Sequence, residues 1–306
     1  GGYGGHIGNL DDIAFWDRAL DENEVSSLFE GISGDEEGLI ELYDFNSDDN
    51  IGSAELSADI PIAGCTDPYA ENYDSDADFD DGSCADYPDN GDYSLSFDGV
   101  DDYVNLGFSN KFNLGTENFT IQAMINPSNI NHNGRILSRG DTGNDGAYQL
   151  KINSNGTLHL GFKNLGFSSE DNVIEANKWQ NIIFTRDGEI LRAFVDGIEV
   201  INETTPILDL TSEQPLGFGM ELGYDSYFDG KIDNASIWNT ALTDEEIQSN
   251  VNSDFSGDEQ GLVGLWNFNS GSGNILYDHS GNANHGTIYG ATWSTDVPPV
   301  DITGLF

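Results

Sequence analysis

The chain has 306 residues, enough for one large domain or two ordinary ones with sizeable cores. It carries 10 Lys plus Arg against 55 Asp plus Glu, a formal net charge of −45, which repels nucleic acid and anionic bilayers and excludes both as direct partners. Aromatics make up 11% of the residues and sit in short patterned runs, which excludes a disordered chain, and no apolar run is long enough to span a bilayer.

In chain order, residues 1–61 hold a partial copy of a repeat. Leu10-Asp11-Asp12-Ile13-Ala14-Phe15-Trp16 is matched by Ile232-Asp233-Asn234-Ala235-Ser236-Ile237-Trp238, and Ser33-Gly34-Asp35-Glu36 by Ser256-Gly257-Asp258-Glu259. The copies close alike, on Ser57-Ala58-Asp59-Ile60-Pro61 and Ser294-Thr295-Asp296-Val297-Pro298. Residues 1–61 thus correspond only to the last part of a unit whose complete copy runs over residues 91–298. The final strands of a sandwich have no partner for their inner face or ladder groups. Residues 1–61 are therefore expected to pack against a segment outside this sequence, a neighbouring chain or the complete unit, the first two being favoured because a tandem array accounts for the partial copy. This partial copy and the C-terminal part of the complete one are almost purely acidic: no Lys or Arg falls between Arg18 and Lys111, nor after Lys231.

Residues 62–90 form a second kind of element. Cys65 and Cys84 are the only cysteines, and in an extracellular chain such a pair reads as a local disulfide. Closing a loop of this length stabilises by about 3 kcal/mol in the chain-entropy account. Inside it Asp74, Asp76, Asp78 and Asp80 recur at every second position, with Asp81 following. Alternating carboxylates on one side of a bent loop can converge on calcium, a hard cation that takes oxygen ligands. Phe79 stands where an EF-hand needs Gly, so the loop is not of that kind; the plainer alternative is a solvated acidic linker. From Gly64-Cys65-Thr66-Asp67-Pro68-Tyr69 to Asp80-Asp81-Gly82-Ser83-Cys84 the segment is similar to a Cys-bounded acidic repeat of secreted proteins of marine bacteria and their viruses. It also resembles the thrombospondin type 3 calcium repeat.

Residues 91–298 read as short strands separated by turns. Tyr93 to Phe97, Phe119 to Ile125 and Tyr148 to Ile152 alternate, and Leu158 to Phe162, Ile182 to Thr185 and Leu191 to Val195 follow. Asp98-Gly99, Asn155-Gly156, Asp187-Gly188 and Asp196-Gly197 are Asx-Gly pairs of the kind tight hairpins prefer. The pattern predicts an all-β, antiparallel two-sheet β-sandwich, with one or two helical turns at Thr243 to Ile247 started by a Thr243–Glu246 capping box. Residues 299–306 read as a linker.

Ser94 to Val104, Phe119 to Pro127, Asn177-Lys178-Trp179 through Gly188, and Phe228-Asp229-Gly230-Lys231-Ile232-Asp233 to Thr243, in that order, resemble bacterial laminin-G-like, concanavalin-A-like jelly-roll domains. The resemblance implies structural calcium where the first and last strands meet, with Asp98, Asp101 and Asp233 as ligands and Asp11 the counterpart of Asp233. Ordinary Asx turns are the alternative for these carboxylates.

The fold also hosts glycoside hydrolases, but no Glu-x-Asp-x-x-Glu strand motif, nucleophile elbow, zinc-protease motif or phosphate loop is present. The five tryptophans fall in strand or repeat motifs and read as core, which leaves Tyr224, Tyr227 and Phe228 as the candidate sugar-stacking aromatics, with Tyr224 and Tyr227 the ones carried forward. The expectation is a non-catalytic, calcium-stabilised structural or adhesive repeat on a cell or virion surface, partnered by neighbouring repeats or identical chains. The alternative is a lectin-like carbohydrate-binding module, free-standing or accessory to a polysaccharide-degrading enzyme.

Overall fold

The computed structural model describes residues 62–130, 133–140, 146–162, 165–220, 226–250 and 255–299, with Leu20 and the backbone of residues 13–16 and 39–43. It divides into two compact units: residues 1–66 with 74–81, and residues 67–73 with 82–306. In the first, β1 (Ile13–Trp16) pairs antiparallel with β2 (Leu39–Tyr43), and β3 (Ala63–Gly64) pairs parallel with β4 (Phe79–Asp80). Cys65 and Cys84 are disulfide-bonded, as their isolation in the sequence implied.

The second unit is a two-sheet antiparallel sandwich, the jelly-roll architecture expected. Its strands run β5 (Ser94–Asp98), β6 (Tyr103–Gly107), β7 (Phe119–Pro127), β8 (Gly134–Arg139), β9 (Tyr148–Asn153), β10 (Thr157–Phe162), β11 (Leu165–Ser168), β12 (Gln180–Asp187), β13 (Ile190–Val195) and β14 (Ile198–Thr204). They continue with β15 (Leu216–Phe218), β16 (Asp229–Trp238), β17 (Leu262–Trp266), β18 (Ile275–Leu276), β19 (Gly286–Tyr289) and β20 (Thr292–Ser294), and α1 (Asp244–Asn250) lies between β16 and β17. One sheet has the order β11-β10-β9-β8-β15-β6-β19-β18; the other has β14-β13-β12-β7-β16-β5-β20, with β17 also paired to β16.

Local chemistry accounts for many of the elements. At the β12–β13 and β13–β14 connections the chain reverses at Asp187-Gly188 and Asp196-Gly197, and Asp196 and Gly197 both take positive φ (48° and 74°). Consecutive residues in that region match the right-handed twist of a hairpin, which is why Asx-Gly is selected there. At α1 the Thr243 N–H donates to Glu246 Oε2 (2.7 Å) and the Glu246 N–H to Thr243 Oγ1 (3.3 Å), the reciprocal capping box read from the sequence.

The core lies between the sheets and draws on both: Leu95, Phe119, Ile121 and Ile182 from one, Val104, Leu150, Leu160 and Phe218 from the other, with Trp266 wholly buried among them. Each such side chain contributes about 1.5–3 kcal/mol by leaving water. A second apolar cluster, Ile183, Phe194, Trp238, Leu242 and Ile247, seats α1 on the far face of the second sheet. Trp238 and Trp266 are core residues as expected. Trp179 and Trp293 are half-buried, their indole N–H groups donating to Asp296 Oδ1 and the Gly273 carbonyl. The buried Arg186 donates to the carbonyls of Leu114, Gly115, Glu117 and Leu208, and its guanidinium lies 4.9 Å from the Phe119 ring centroid.

Candidate functional site

In the sheet led by β11, one face is committed to the core, so strand alternation sends every second residue to the other face. Tyr148, Leu150 and Ile152 of β9 point inward, as do Leu158, Leu160 and Phe162 of β10. Gln149, Lys151, His159 and Gly161 therefore share the outer face. Strand pairing extends this into one continuous row across all eight strands: Gly166, Gly161, Gln149, Ser138, Gly217, Asn105, Thr287 and Ile275 stand opposite one another in turn. A second row beside it holds Ser168, His159, Lys151 and Arg135 at one end and Tyr103 and Tyr289 at the other. A bulge between Arg135 and Leu137 keeps Arg135 and Ser138 on the same face although three positions separate them.

The geometry of this face suits an extended polar ligand. A Cβ on Gly161 would come within 2.5 Å of Gln149 Nε2, and one on Gly166 within 2.6 Å of His159 Cε1, so the glycines let both side chains lie flat across the strands. Tyr103 and Tyr289 stack with centroids 4.6 Å apart and 14° between planes, and Tyr289 is 44% exposed. Between them and Ser138 lies a pit of about 10 Å³ lined by Asn105, Gly217 and Met220, room for roughly one water. Gln149 is only 6% exposed, and its Oε1 accepts no hydrogen bond. A buried acceptor left unpaired costs about 1–3 kcal/mol, a penalty a ligand hydroxyl would remove. Burial, with Lys151 and Arg135 adding to it, pushes the His159 imidazole down to about 4, so it is neutral at pH 7 and free to serve as donor or acceptor. Its Nδ1 lies 2.8 Å from Ser168 Oγ.

None of the residues in the two rows is acidic, in a chain with 55 Asp and Glu. Glycoside hydrolysis by the usual route needs a pair of carboxyl groups flanking the bond, and these rows offer none.

Two open clefts flank Asn239 and Thr240 elsewhere on the sandwich, of about 770 and 690 Å³. Several of their polar groups are committed within the fold. Asn118 Oδ1 accepts the Gly188 N–H, Asn113 Oδ1 the Ser212 N–H, Asn282 takes Lys111 Nζ, and Glu259 holds the Ser256 and Gly257 N–H groups.

Of the aromatics singled out in the sequence, Tyr227 is half-buried and close enough to Tyr103 to help raise its phenol pKa, after burial and Tyr289. Phe228, also expected to be exposed, is instead buried in the core between the sheets and cannot stack on a ligand. Tyr224 lies outside the described residues, as does Asp11. Asp98 and Asp101 come together with Asp102, which sequence reading had not selected. Their ligand oxygens lie within 4.8 Å of one another, the one such acidic group among the described residues. Asp98 Oδ1 accepts the Val100 and Asp101 N–H groups (2.8 and 3.3 Å), and Asp102 Oδ2 accepts the Asp98 N–H (2.9 Å). Burial raises the Asp102 pKa; that N–H opposes the rise, and the charges of Asp98 and Asp101 add to it. Donors of this type and density fit a hard cation. Asp233 is buried in β16 and does not join this group. In the alternating loop, Asp74 Oδ1 accepts the Asp76 N–H and Asp78 Oδ2 the Ile62 N–H, both at 2.9 Å, so at least part of that series serves its own backbone.

Residues 98–248 match the family model of the concanavalin A-like lectin/glucanases superfamily, of laminin-G type. Among solved structures the chain is similar to a Bacteroides ovatus protein proposed to bind carbohydrate, at 17% identity and a TM-score of 0.55, over 71% of this chain and 63% of that one. It thus spans less than two thirds of that structure. Lower similarity extends to the CBM40 of a Ruminococcus gnavus sialidase bound to α2,3-sialyllactose (14% identity, TM-score 0.43, 52% of this chain and 96% of that one). Domain 4 of a Geobacillus stearothermophilus arabinanase, in complex with arabinotriose, is similar at 15% identity and a TM-score of 0.42, over 52% of this chain and 76% of that one. No curated protein matches. The sandwich has the concanavalin-A-like, laminin-G-like jelly-roll fold; the family match begins after the Cys-bounded segment. Among the described residues no helix is long and apolar enough to cross a membrane.

Proposed function

We propose that the sandwich is a non-catalytic carbohydrate-binding module that holds a glycan along the outer face of the sheet led by β11. This is the alternative raised by the sequence, and it stands ahead of the structural-repeat reading. The observation that carries it is the continuous outer row rich in amide and glycine positions, with the unpaired Gln149 Oε1 within it and the Tyr103–Tyr289 stack beside it. A sugar presents hydroxyls to such amides and a C–H face to such rings, and recognition sites combine these two chemistries. The fold is one that the Bacteroides ovatus protein shares, but one fold hosts many functions, so the reading rests on the face and not on the likeness.

The disulfide supports an extracellular setting. Calcium at Asp98, Asp101 and Asp102 would stiffen the β5–β6 turn, one residue before Tyr103, and so support the rim of the face. The repeat of residues 10–61 in 232–298 supports a second reading, in which several such modules stand in array and a surface fibre or adhesin displays them.

The test is a glycan screen followed by titration calorimetry on Gln149→Ala and Tyr289→Ala. Each is expected to weaken binding about tenfold or more, the effect of losing roughly 1.4 kcal/mol, with the melting temperature held within a few degrees. Ligands bound equally well by both variants would place recognition elsewhere.

A further inference from the structure

We infer that the partial copy in residues 1–61 is the closing hairpin of a further sandwich, and that the open edge of β1 takes the counterpart of β7, carried by an equivalent of residues 91–222 on the same polypeptide. The inference deepens the array reading above and does not depend on what the outer face of the sheet binds. The register carries it. In the complete unit, β16 and β17 pair Ala235 with Trp266, Ser236 with Leu265, Ile237 with Gly264 and Trp238 with Leu262, the ladder shifting between Ile237 and Trp238. β1 and β2 pair Ile13 with Tyr43, Ala14 with Leu42, Phe15 with Glu41 and Trp16 with Leu39, the ladder shifting between Phe15 and Trp16. With Leu10 aligned to Ile232 and Leu39 to Leu262, all four pairs and the bulge fall at matching positions. A bulge at a matching place marks the same hairpin, because each bulge re-aims its strand locally. Over these residues both edges of β16 are used: β17 lies on one, and on the other Ser236, Ile237 and Trp238 stand opposite Gln122, Ile121 and Thr120 of β7. Among the described residues β1 pairs with β2 alone. An edge left in that state presents a row of N–H and C=O groups ready for another strand.

The partial copy also keeps two features that serve pairing with β7. Gly230 has a φ of 149°, and a Cβ there would come within 2.5 Å of the Asn126 carbonyl oxygen and 2.6 Å of Pro127 Cα, both on β7. Gly8 stands at the aligned position. Asn234 takes a φ of 43° within the irregular stretch of the β16–β7 ladder between Asp233 and Ser236. Asn and Asp adopt that conformation more readily than other side chains, and Asp12 stands there in the partial copy. Occupancy then decides the source. The complete unit's own β7 lies between β12 and β16 with both edges taken, so neither that unit nor its counterpart in an identical chain has a β7 edge to give. In the complete unit β15 ends at Phe218 and β16 begins at Asp229, so one continuous chain delivers the opening strands and then the closing hairpin. The same order puts the β7 counterpart ahead of the partial copy.

The experiment fuses a second copy of residues 91–222 ahead of Gly1 of the full chain, a junction that keeps the spacing of the repeat. Cysteines are placed by Ala14→Cys and by Gln122→Cys in the added copy, and peptide mapping follows oxidation. The expected result is a cross-link in most molecules, with exchange of the β1 backbone amides slowed at least tenfold relative to the unfused chain. Ala14→Cys with Thr120→Cys, two positions along, should stay open, because bridged Cβ atoms lie about 3.5–4.5 Å apart. Gly8→Val should abolish both the cross-link and the slowed exchange and leave the melting of the complete unit unchanged. No preference between the two cysteine pairs, with the β16 amides still protected, would overturn the inference. A cross-link in the unfused chain between Ala14→Cys and the complete unit's own Gln122→Cys would show β1 displacing β16, and would also overturn it. Should the added copy fail to fold, a full chain in which residues 10–61 replace residues 232–298 decides: a cooperative melt with β12 and β13 still protected supports the inference, and loss of both overturns it.

Discussion

Asp67 and His285 meet through Oδ2 and Nε2 at 2.5 Å, across 218 residues of sequence. The His285 Nδ1 accepts the Asp278 N–H (2.9 Å), which leaves the neutral ring's proton on Nε2, directed at Asp67. The same carboxylate accepts the Tyr87 hydroxyl (2.8 Å) and the Tyr69 N–H (3.0 Å), and the rings of Tyr69, Tyr87 and Tyr277 surround the imidazole.

This pair sets an acid limit on stability. Burial alone would raise the Asp67 pKa, but the His285, Tyr69 and Tyr87 donors outweigh it and hold the carboxyl below its ordinary 3.8. A depressed carboxylate contributes stability that is complete above the unfolded value and lost as pH falls through the lower folded one. Asp67→Ala should therefore lower stability by about 3 kcal/mol at pH 7, leaving three donors unpaired, and should flatten the decline of the melting temperature below pH 4. A variant that melts with the wild-type profile from pH 2 to 7 would show that the pair contributes nothing.

Arg186 offers a second test, within the core. Its planar fork reaches four backbone carbonyls at once, and a lysine ammonium has neither the fork nor the span to hold them together. Arg186→Lys should cost about 2–4 kcal/mol in urea denaturation, with little effect on glycan binding in the fraction that stays folded. A change under 0.5 kcal/mol would overturn this account.

The acidic trio gives the third. Calcium is expected to raise the melting temperature of the protein, and EDTA to reverse it. Asp101→Asn should abolish that response while raising the melting temperature measured in EDTA, because it removes one of three repelling charges. A wild-type melt indifferent to both calcium and EDTA would remove calcium from the description.

What could be read beforehand follows the range of the interaction concerned. The strand at residues 148–153, the turn at Asp196-Gly197 and the Thr243–Glu246 box depend on neighbours within a few positions, and each was expected close to where it stands. Strand β8 was not, because Arg135-Ile136-Leu137-Ser138 carries a bulge that breaks alternation. None of the residues in the two rows of the face had been marked as a site residue; only Tyr227, close to Tyr103, came near. Gln149, Ser138, Asn105 and Thr287 are ordinary polar residues in alternating strands, and nothing local distinguishes them from any solvated position.

The sequence by itself determined the sandwich class and the disulfide, since composition, period and turn chemistry are local properties. The tertiary structure alone decided which residues act together. The insertion of β15 between β8 and β6, and of β19 beside β6, aligns four distant stretches into one row. Register is set by burial of the opposite face over the whole sheet, so a shift of one residue in any of those strands would turn its polar contribution inward and erase the site.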